Sequence, residues 1–424
     1  MNHSQFTQLL AQGPVLLDGA TGTHLQAAGM PTGVCPEIWV SEHPDVLQDL
    51  QSAYFRAGSQ IIYTFTFGAN RPKLSHYQLS DEVEAFNGRL AAISTAVRDQ
   101  FRQSDPARTF LVAGEMGPTG RFLFPAGDLS LAELIEIYRE QVRGQLAAGV
   151  DLFVIETMMD LAETRAAVLA VQAECDLPVM ASLTYTDNGR TLSGNSPLEC
   201  LLTLAGLGAA ACGINCSFGP DKLGELIEPL RAISPIPLLL KPNAGLPQLI
   251  NGHTVFPMDP ADFALVMKPL AHGCVLLLGG CCGTGPNHIA SLGNLLSMGL
   301  SHKTGVIADV LPTMICSARQ SWAVENTAAL PVIECLDPDN LIDDIYEALD
   351  SDPPAVILNF DSAVSEDSLP LWLETLQQLQ VMLATPLIFC TSEADLLEQL
   401  LHHYCGRAGV IGISPPKAYG AINI

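Results

Sequence analysis

The stretch Leu277-Leu278-Gly279-Gly280-Cys281-Cys282-Gly283-Thr284 holds the residue types best suited to chemistry. The apolar run Val275 to Leu278 reads as a buried strand, and the glycines let the chain turn at its end without a Cβ clash. Two adjacent thiols there are badly placed for a mutual disulfide but well placed to hold one soft metal. A third thiol, Cys216, ends another greasy run, Cys212-Gly213-Ile214-Asn215-Cys216. Three thiolates with an open fourth position make a catalytic-type zinc site. A structural zinc would need a fourth permanent ligand, and no obvious Cys-x-x-Cys spacing supplies one. Adjacent core cysteines without metal are the remaining alternative.

Zinc held by three thiolates carries a net charge of about −1. A substrate thiol taking the open position is deprotonated near neutral pH, and its sulfur stays electron-rich. Such a site activates a sulfur nucleophile more than it activates water, for which histidine and carboxylate ligands are usual. The thiol must also be recognised. Asp18 and Glu156 are acceptors for an ammonium group, and the Gly19 and Ala20 N–H groups offer a small nest for a carboxylate. Together these describe an amino acid with a thiol side chain. The plain alternatives are an Asx-turn for Asp18 and a supporting hydrogen bond for Glu156.

These residues need a scaffold that brings strand ends together. Eight short apolar runs alternate with helical segments: Val15–Asp18, Gln60–Phe67, Phe110–Gly117, Leu152–Thr157, Pro178–Tyr185, Cys212–Ser217, Pro237–Gly245 and Val275–Cys282. Ser41 to Gly58 carries Val46, Leu47, Leu50, Ala53 and Tyr54 on one face and closes in glycine. Ser130 and Glu133 have capping-box spacing. Alternating strands and helices mean parallel strands with right-handed crossovers, and eight units predict a (β/α)8 TIM barrel. An open doubly wound sheet is the rival, but its phosphate-binding fingerprint is missing. A barrel gathers its chemistry at the carboxyl ends of the strands. Those ends carry Asp18, Thr66, Glu115, Glu156, Cys216, Asn243 and the Cys281–Cys282 pair. Thr66, Glu115 and Asn243 therefore join the residues expected around the substrate.

The barrel is expected over 1–304, with Ser301–Gly305 as linker, and a small α/β domain over 305–424. The latter shows four apolar runs, Pro331–Cys335, Ala355–Phe360, Pro386–Cys390 and Gly409–Ile413, with a loosely held tail from Pro415. A formal charge of −25 argues against a nucleic-acid partner. The polar first twelve residues do not read as a signal peptide, and no apolar run reaches the roughly 20 residues of a membrane span. Twelve cysteines fit a reducing compartment, so a cytoplasmic location is expected. Most cysteines outside the trio lie in apolar segments and read as core.

Seven motifs occur in order: Asp-Gly-Ala-Thr-Gly-Thr (18–23), Thr-Phe-Thr-Phe-Gly-Ala-Asn-Arg (64–71), Glu-Thr-Met-Met-Asp (156–160), Gly-Arg-Thr-Leu-Ser-Gly (189–194), Asn-Cys-Ser-Phe-Gly-Pro (215–220), Pro-Asn-Ala-Gly-Leu-Pro (242–247) and Gly-Gly-Cys-Cys-Gly-Thr (279–284). From about residue 10 to 300 the chain resembles the homocysteine S-methyltransferase family. Within it, the chain looks like the homocysteine-binding module of cobalamin-dependent methionine synthase. The resemblance implies zinc on Cys216, Cys281 and Cys282, and homocysteine held by Asp18 and Glu156. It also implies that Asn243 takes the open zinc position when substrate is absent.

The chain departs from the betaine-using members of that family. They have tyrosine directly after Thr-Phe-Thr-Phe, where Gly68 stands here, and tryptophan before a Pro-Glu pair, whereas Trp39 follows Pro36-Glu37. A quaternary ammonium needs aromatic faces around it. Short mouth loops are expected to leave the zinc open to a large donor, a methyl-corrinoid (methylcobalamin) on a partner protein. The chain lacks the Asp-x-His-x-x-Gly pattern of a corrinoid domain. Betaine, a sulfonium donor or another thiol acceptor are the enzymatic alternatives, and a zinc-thiolate interaction protein is the non-enzymatic one. The C-terminal domain is expected to be a shortened remnant of a pterin-binding barrel, a docking unit or a structural cap.

Overall fold

The computed structural model describes residues 1–250, 253–298, 311–360, 364, 365 and 367–424. The expected linker Ser301–Gly305 and the 304/305 boundary lie outside them. Eight parallel strands form one sheet: β1 (Val15–Leu16), β2 (Ile61–Tyr63), β3 (Leu111–Met116), β4 (Leu152–Met158), β5 (Val179–Leu183), β6 (Ala211–Cys216), β7 (Leu238–Pro242) and β8 (Val275–Leu278). Seven of the expected runs contain one strand each, and β4 extends one residue past its expected run, to Met158. Neighbours follow chain order from β2 to β8, and β1 pairs with β8.

The last seam, between β1 and β2, is held largely by side chains. Gln60 N–H donates to Leu16 O at 2.7 Å, and the Ser59 hydroxyl donates to Leu17 O at 3.0 Å. Tyr63 N–H donates to the Asp18 carboxylate at 2.8 Å, in place of a backbone acceptor. The wall is closed at its shortest strand by residues just beyond the strand.

Side chains alternate across each strand. Val15, Leu17, Ile61, Tyr63, Leu111, Ala113, Leu152, Val154, Met180, Ala211, Leu239 and Leu277 share one buried cluster inside the barrel. Their neighbours Leu16, Ile62, Val112, Phe153, Ile155, Ala181, Cys212, Leu238, Leu240 and Leu278 pack outward with the helices. Continuing the inward period past the apolar layer reaches Glu115, Glu156, Ser182, Asn215 and Lys241. A polar layer therefore lies directly above the greasy one, towards the carboxyl ends.

The mouth loops are longer than expected at two places. Residues 117–130 separate β3 from its helix, Leu131–Ala147. After β7 a hairpin, Gln248–Ile250 with His253–Val255, precedes the helix Pro260–Met267. Phe256, just past that hairpin, sits against Gly283, which has φ 80°, a value that favours glycine.

The C-terminal unit has five parallel strands in sequential order: Val332–Glu334, Val356–Asn359, Leu387–Cys390, Gly409–Ile411 and Ile422–Asn423. The fifth corrects the loose-tail expectation. Ile422 N–H bonds Ala408 O, Ile424 N–H bonds Val410 O, and Arg407 Nε donates to Gly420 O. A short run ending in Ile422-Asn423-Ile424 gave too little periodicity to read as a strand. A hairpin, Met314–Cys316 with Ser321–Ala323, adds Ile315 and Trp322 to the apolar cluster on this sheet.

The two units are pinned together. Arg165, on the barrel helix Leu161–Glu174, donates to Leu401 O and His402 O at 2.6 Å each. Those carbonyls end the helix Ala394–His403, where orphan acceptors and the negative end of the dipole favour a cation. Asn195 Nδ2 adds a bond to Ala318 O at 2.8 Å. Arg165→Ala is expected to cost about 3 kcal/mol, from two charge-assisted hydrogen bonds. Denaturant unfolding checks this. Unchanged stability would mean that the units are held by apolar contact alone.

Candidate metal and substrate site

The three clustered cysteines come from two strand ends that flank β7. Cys216 pairs with Pro242, Cys281 N–H donates to Pro242 O at 2.7 Å, and Ala244 N–H donates to Cys282 O at 2.9 Å. One turn of chain after β7 thus fixes all three. Cys216 lies at φ 63°, a left-handed conformation that a non-glycine residue adopts at some cost. Gly279 is needed because a Cβ there would stand 2.7 Å from Asp18 O. The Thr284 hydroxyl donates to Cys281 O at 2.7 Å and accepts from Ala20 N–H, which ties the cysteine turn to the end of β1.

Cys216 and Cys282 sulfurs are 3.8 Å apart, those of Cys281 and Cys282 4.0 Å, and all three lie within 4.8 Å of one another. A tetrahedral metal with M–S bonds of about 2.3 Å places its sulfurs about 3.8 Å apart. The trio fits such an ion, and it is the one such group of His, Cys, Asp or Glu among the described residues. All twelve cysteines are free. Hydrogen bonds from Cys216 and Cys281 hold Cys282 down to about 3, while Cys216 is pushed up by its bonds to the other two and by burial.

Below the thiols lies a charged floor. Lys241 Nζ is 2.8 Å from Asp18 Oδ1, 3.5 Å from Glu156 Oε2 and 3.6 Å from the centre of the Tyr63 ring. Lys241, Asp18, Glu156 and Glu115 are all buried. Glu156 is raised to about 7 by burial, which the Lys241 charge opposes. Glu115 is held well above the usual carboxylate range by burial and by the Glu156 charge. Glu156 Oε2 has no hydrogen-bond partner, nor has Asn243 Oδ1. Asn243 Oδ1 is thus an orphaned buried acceptor, costly unless a ligand meets it, while Glu156 Oε2 meets only the Lys241 charge.

The sequence-expected residues do not all play one part. Cys216, Cys281 and Cys282 come together, as do Asp18, Glu115 and Glu156. Asp18 has both oxygens engaged, by Lys241 and by Tyr63 N–H. Ala20 gives its N–H to Thr284, and its carbonyl accepts from Tyr54 at 2.6 Å. Gly19 faces Tyr54 and Thr284 so closely that a Cβ would not fit. Thr66 is fully buried in the wall, where its hydroxyl donates to Glu115 O and accepts from Gln145 Nε2. Asn243 is buried beside the sulfur turn. Sequence reading missed Lys241, although a lone lysine in Leu238-Leu239-Leu240-Lys241 was a visible signal. It also missed Asn215, which accepts from Thr157 N–H and Ser182 Oγ and donates to Thr157 Oγ1. That network braces Thr157, the residue after Glu156, at φ 59°.

The family model for homocysteine S-methyltransferase matches residues 15–296, the whole barrel. The chain belongs to that family. Methionine synthase of Mycobacterium tuberculosis is 34% identical over 293 residues, and its counterpart in Mycobacterium leprae is 34% identical over 294. The match covers 66% of this chain but 24% of those proteins, so the chain spans about a quarter of these relatives. Among solved structures, the metallated form of the homocysteine methyltransferase MmuM from Escherichia coli aligns with TM-score 0.57 and 27% identity. That alignment covers 68% of this chain and 98% of MmuM. Its oxidized form aligns with TM-score 0.56 and 26% identity, over 66% of this chain and 95% of that one. The matched part ends with the barrel.

Burial of Glu156 has a measurable consequence. Its folded-state value of about 7 lies above the ordinary carboxyl range, so folding favours the protonated form. The associated stability is present below the ordinary carboxyl pKa and is lost as pH rises towards 7. Glu156→Gln cannot ionise. In the metal-free protein its stability relative to wild type should rise from pH 5 to pH 8, by on the order of 2 kcal/mol. Parallel thermal scans at the two pH values test this, and a difference that stays flat with pH would show that Glu156 is not raised.

Proposed function

We propose that this chain methylates the thiol of homocysteine to give methionine, using zinc on Cys216, Cys281 and Cys282. The observation that carries the reading is the three-sulfur cluster set directly over a buried acidic floor. When bound, zinc would supply a Lewis acid that takes the substrate thiol as a thiolate. The chain's own residues then do the rest. Glu156, with an oxygen that accepts no hydrogen bond within the chain, accepts the substrate ammonium. Glu115, whose burial beside Glu156 favours its protonated form, supports Glu156 from within the wall. Asn215 and Thr157 brace the end of β4, and Asn243 offers its free oxygen beside the sulfurs. A sulfur lone pair attacks the methyl carbon, and the donor keeps the electron pair of the bond that breaks.

For the donor, a methyl-corrinoid on a partner protein is the favoured reading. Two features support it. Phe122, Leu192, Leu246 and Leu249 are exposed on three stretches that follow barrel strands at the mouth, an apolar rim suited to a large donor. An aromatic cage for betaine has little support: Gly68 gives its N–H to Glu37, and Trp39 stacks on His43 with ring centroids 4.3 Å apart. Methyl-transfer assays on homocysteine with methylcobalamin, betaine and a methyl sulfonium should yield methionine from methylcobalamin. Turnover with the sulfonium alone would assign a different donor, and no turnover with any would defeat the reading.

Two further outcomes are expected. Purified reduced protein should contain about one zinc per chain, and Cys216→Ser, Cys281→Ser and Cys282→Ser should each lose it. Stoichiometric zinc in all three variants would place the metal elsewhere. Glu156→Gln should weaken homocysteine binding by about 1.5–3 kcal/mol, roughly 10- to 100-fold, with zinc unchanged. Calorimetry with 4-mercaptobutyrate, which lacks the amino group, should detect almost no effect. Equal losses for both thiols would show that Glu156 shapes the site rather than binding the ammonium.

A further inference from the structure

We infer that a cavity between the two units is a second site, one that binds a free apolar α-amino acid as its zwitterion. The cavity has a volume of about 280 Å³, and neither the three clustered cysteines nor Glu156 line it. Its walls are greasy. Phe124 and Leu131 come from the stretch after β3, and Val381 from the C-terminal helix Leu369–Met382. Its unmet charges come in two sets, one from each unit. Asp160 and Glu163 stand at the start of the barrel helix Leu161–Glu174, and Arg319 stands in the turn of the hairpin Met314–Cys316 with Ser321–Ala323.

Glu163 is 6% exposed. One of its oxygens accepts from Thr119 N–H at 2.7 Å, the Thr119 hydroxyl at 2.6 Å and the Tyr138 hydroxyl at 3.0 Å. Its other oxygen accepts no hydrogen bond among the described residues. Asp160 likewise gives one oxygen to Glu163 N–H, at 2.7 Å, and leaves the other unused. Arg319 donates through Nη2 alone, to Gln380 O at 2.9 Å and to Val381 O, so Nε and Nη1 remain. The cavity's other guanidiniums are engaged elsewhere: Arg121 pairs with Asp128, and Arg165 caps the helix Ala394–His403. Among the described residues no ion pair joins Asp160 or Glu163 to a guanidinium. A buried carboxylate facing an apolar cavity is costly unless a ligand meets it. An ammonium would meet the acids, a carboxylate would meet Arg319, and an apolar side chain would fill the space between. A ligand carrying one charge would satisfy one unit only.

The test is calorimetric titration of the full-length chain with L-leucine. Two analogues divide its charges: 4-methylpentanoate lacks the ammonium, and 3-methylbutylamine lacks the carboxylate. Leucine should bind at least about tenfold tighter than either. Glu163→Gln keeps the acceptor for Thr119 and removes the charge. It should weaken leucine by about tenfold or more and leave 4-methylpentanoate within about twofold. Arg319→Met should weaken leucine as much and leave 3-methylbutylamine within about twofold. Glu156→Gln, at the sulfur site, should leave leucine within about twofold of wild type. Loss in Glu156→Gln but not in Glu163→Gln would put leucine in the barrel mouth and overturn the inference. Equal binding of leucine and either analogue, or no heat up to about 10 mM leucine, would overturn it too. If Glu163→Gln or Arg319→Met fails to fold, Ala162→Phe decides, because Ala162 lines the cavity and a phenyl ring would fill it. Lost leucine binding in that variant supports the inference, and retained binding refutes it. None of these readings requires methyl transfer, so the inference and the proposed function fail separately.

Discussion

The register across β6, β7 and β8 is the constraint on which the site depends. Pro242 is paired with Cys216 on one side and receives Cys281 N–H on the other. Three sulfurs therefore reach metal-binding separations without any loop having to close. Cys216 takes its left-handed backbone at this register, and the glycine at 279 is required by the close approach of Asp18 O from the end of β1. A proline at the end of a strand that is paired on both sides is tolerated because the bonds here use its carbonyl, not an N–H.

The same strand brings a charge into the barrel. Lys241 lies two residues beyond Leu239 and so points inward, into the layer above the apolar core. A buried ammonium needs partners, and it finds Asp18 at the β1 seam and Glu156 at the end of β4. The sulfur cluster, the acid of β4 and the closing seam at β1 thus meet around one lysine of β7. Asp18 links all three, since its carboxylate also substitutes for a ladder acceptor opposite Tyr63.

Much of this was legible in the sequence, and the reason is periodicity. Eight apolar runs ending in polar residues predicted the barrel and the place of its mouth, and the paired cysteines with Cys216 predicted the sulfur cluster. Pairwise assignments were not legible. Nothing in the Asp18 motif reveals that a lysine more than two hundred residues away takes its carboxylate, because that contact depends on barrel closure. Thr66 stands in a striking motif, yet its hydroxyl is spent inside the wall on Glu115 O and Gln145. The fifth strand of the C-terminal sheet was missed because two residues carry no period. Its existence is decided by pairing with Gly409 and Val410.

The central claim is that three protein sulfurs receive the substrate sulfur as a fourth. Zinc K-edge X-ray absorption of the reduced, zinc-loaded protein reads this directly. Three sulfurs and one light atom are expected at the zinc in the free protein, changing to four sulfurs at about 2.3 Å when homocysteine is added. A spectrum that already shows four sulfurs before substrate, or that does not change with homocysteine, would contradict it.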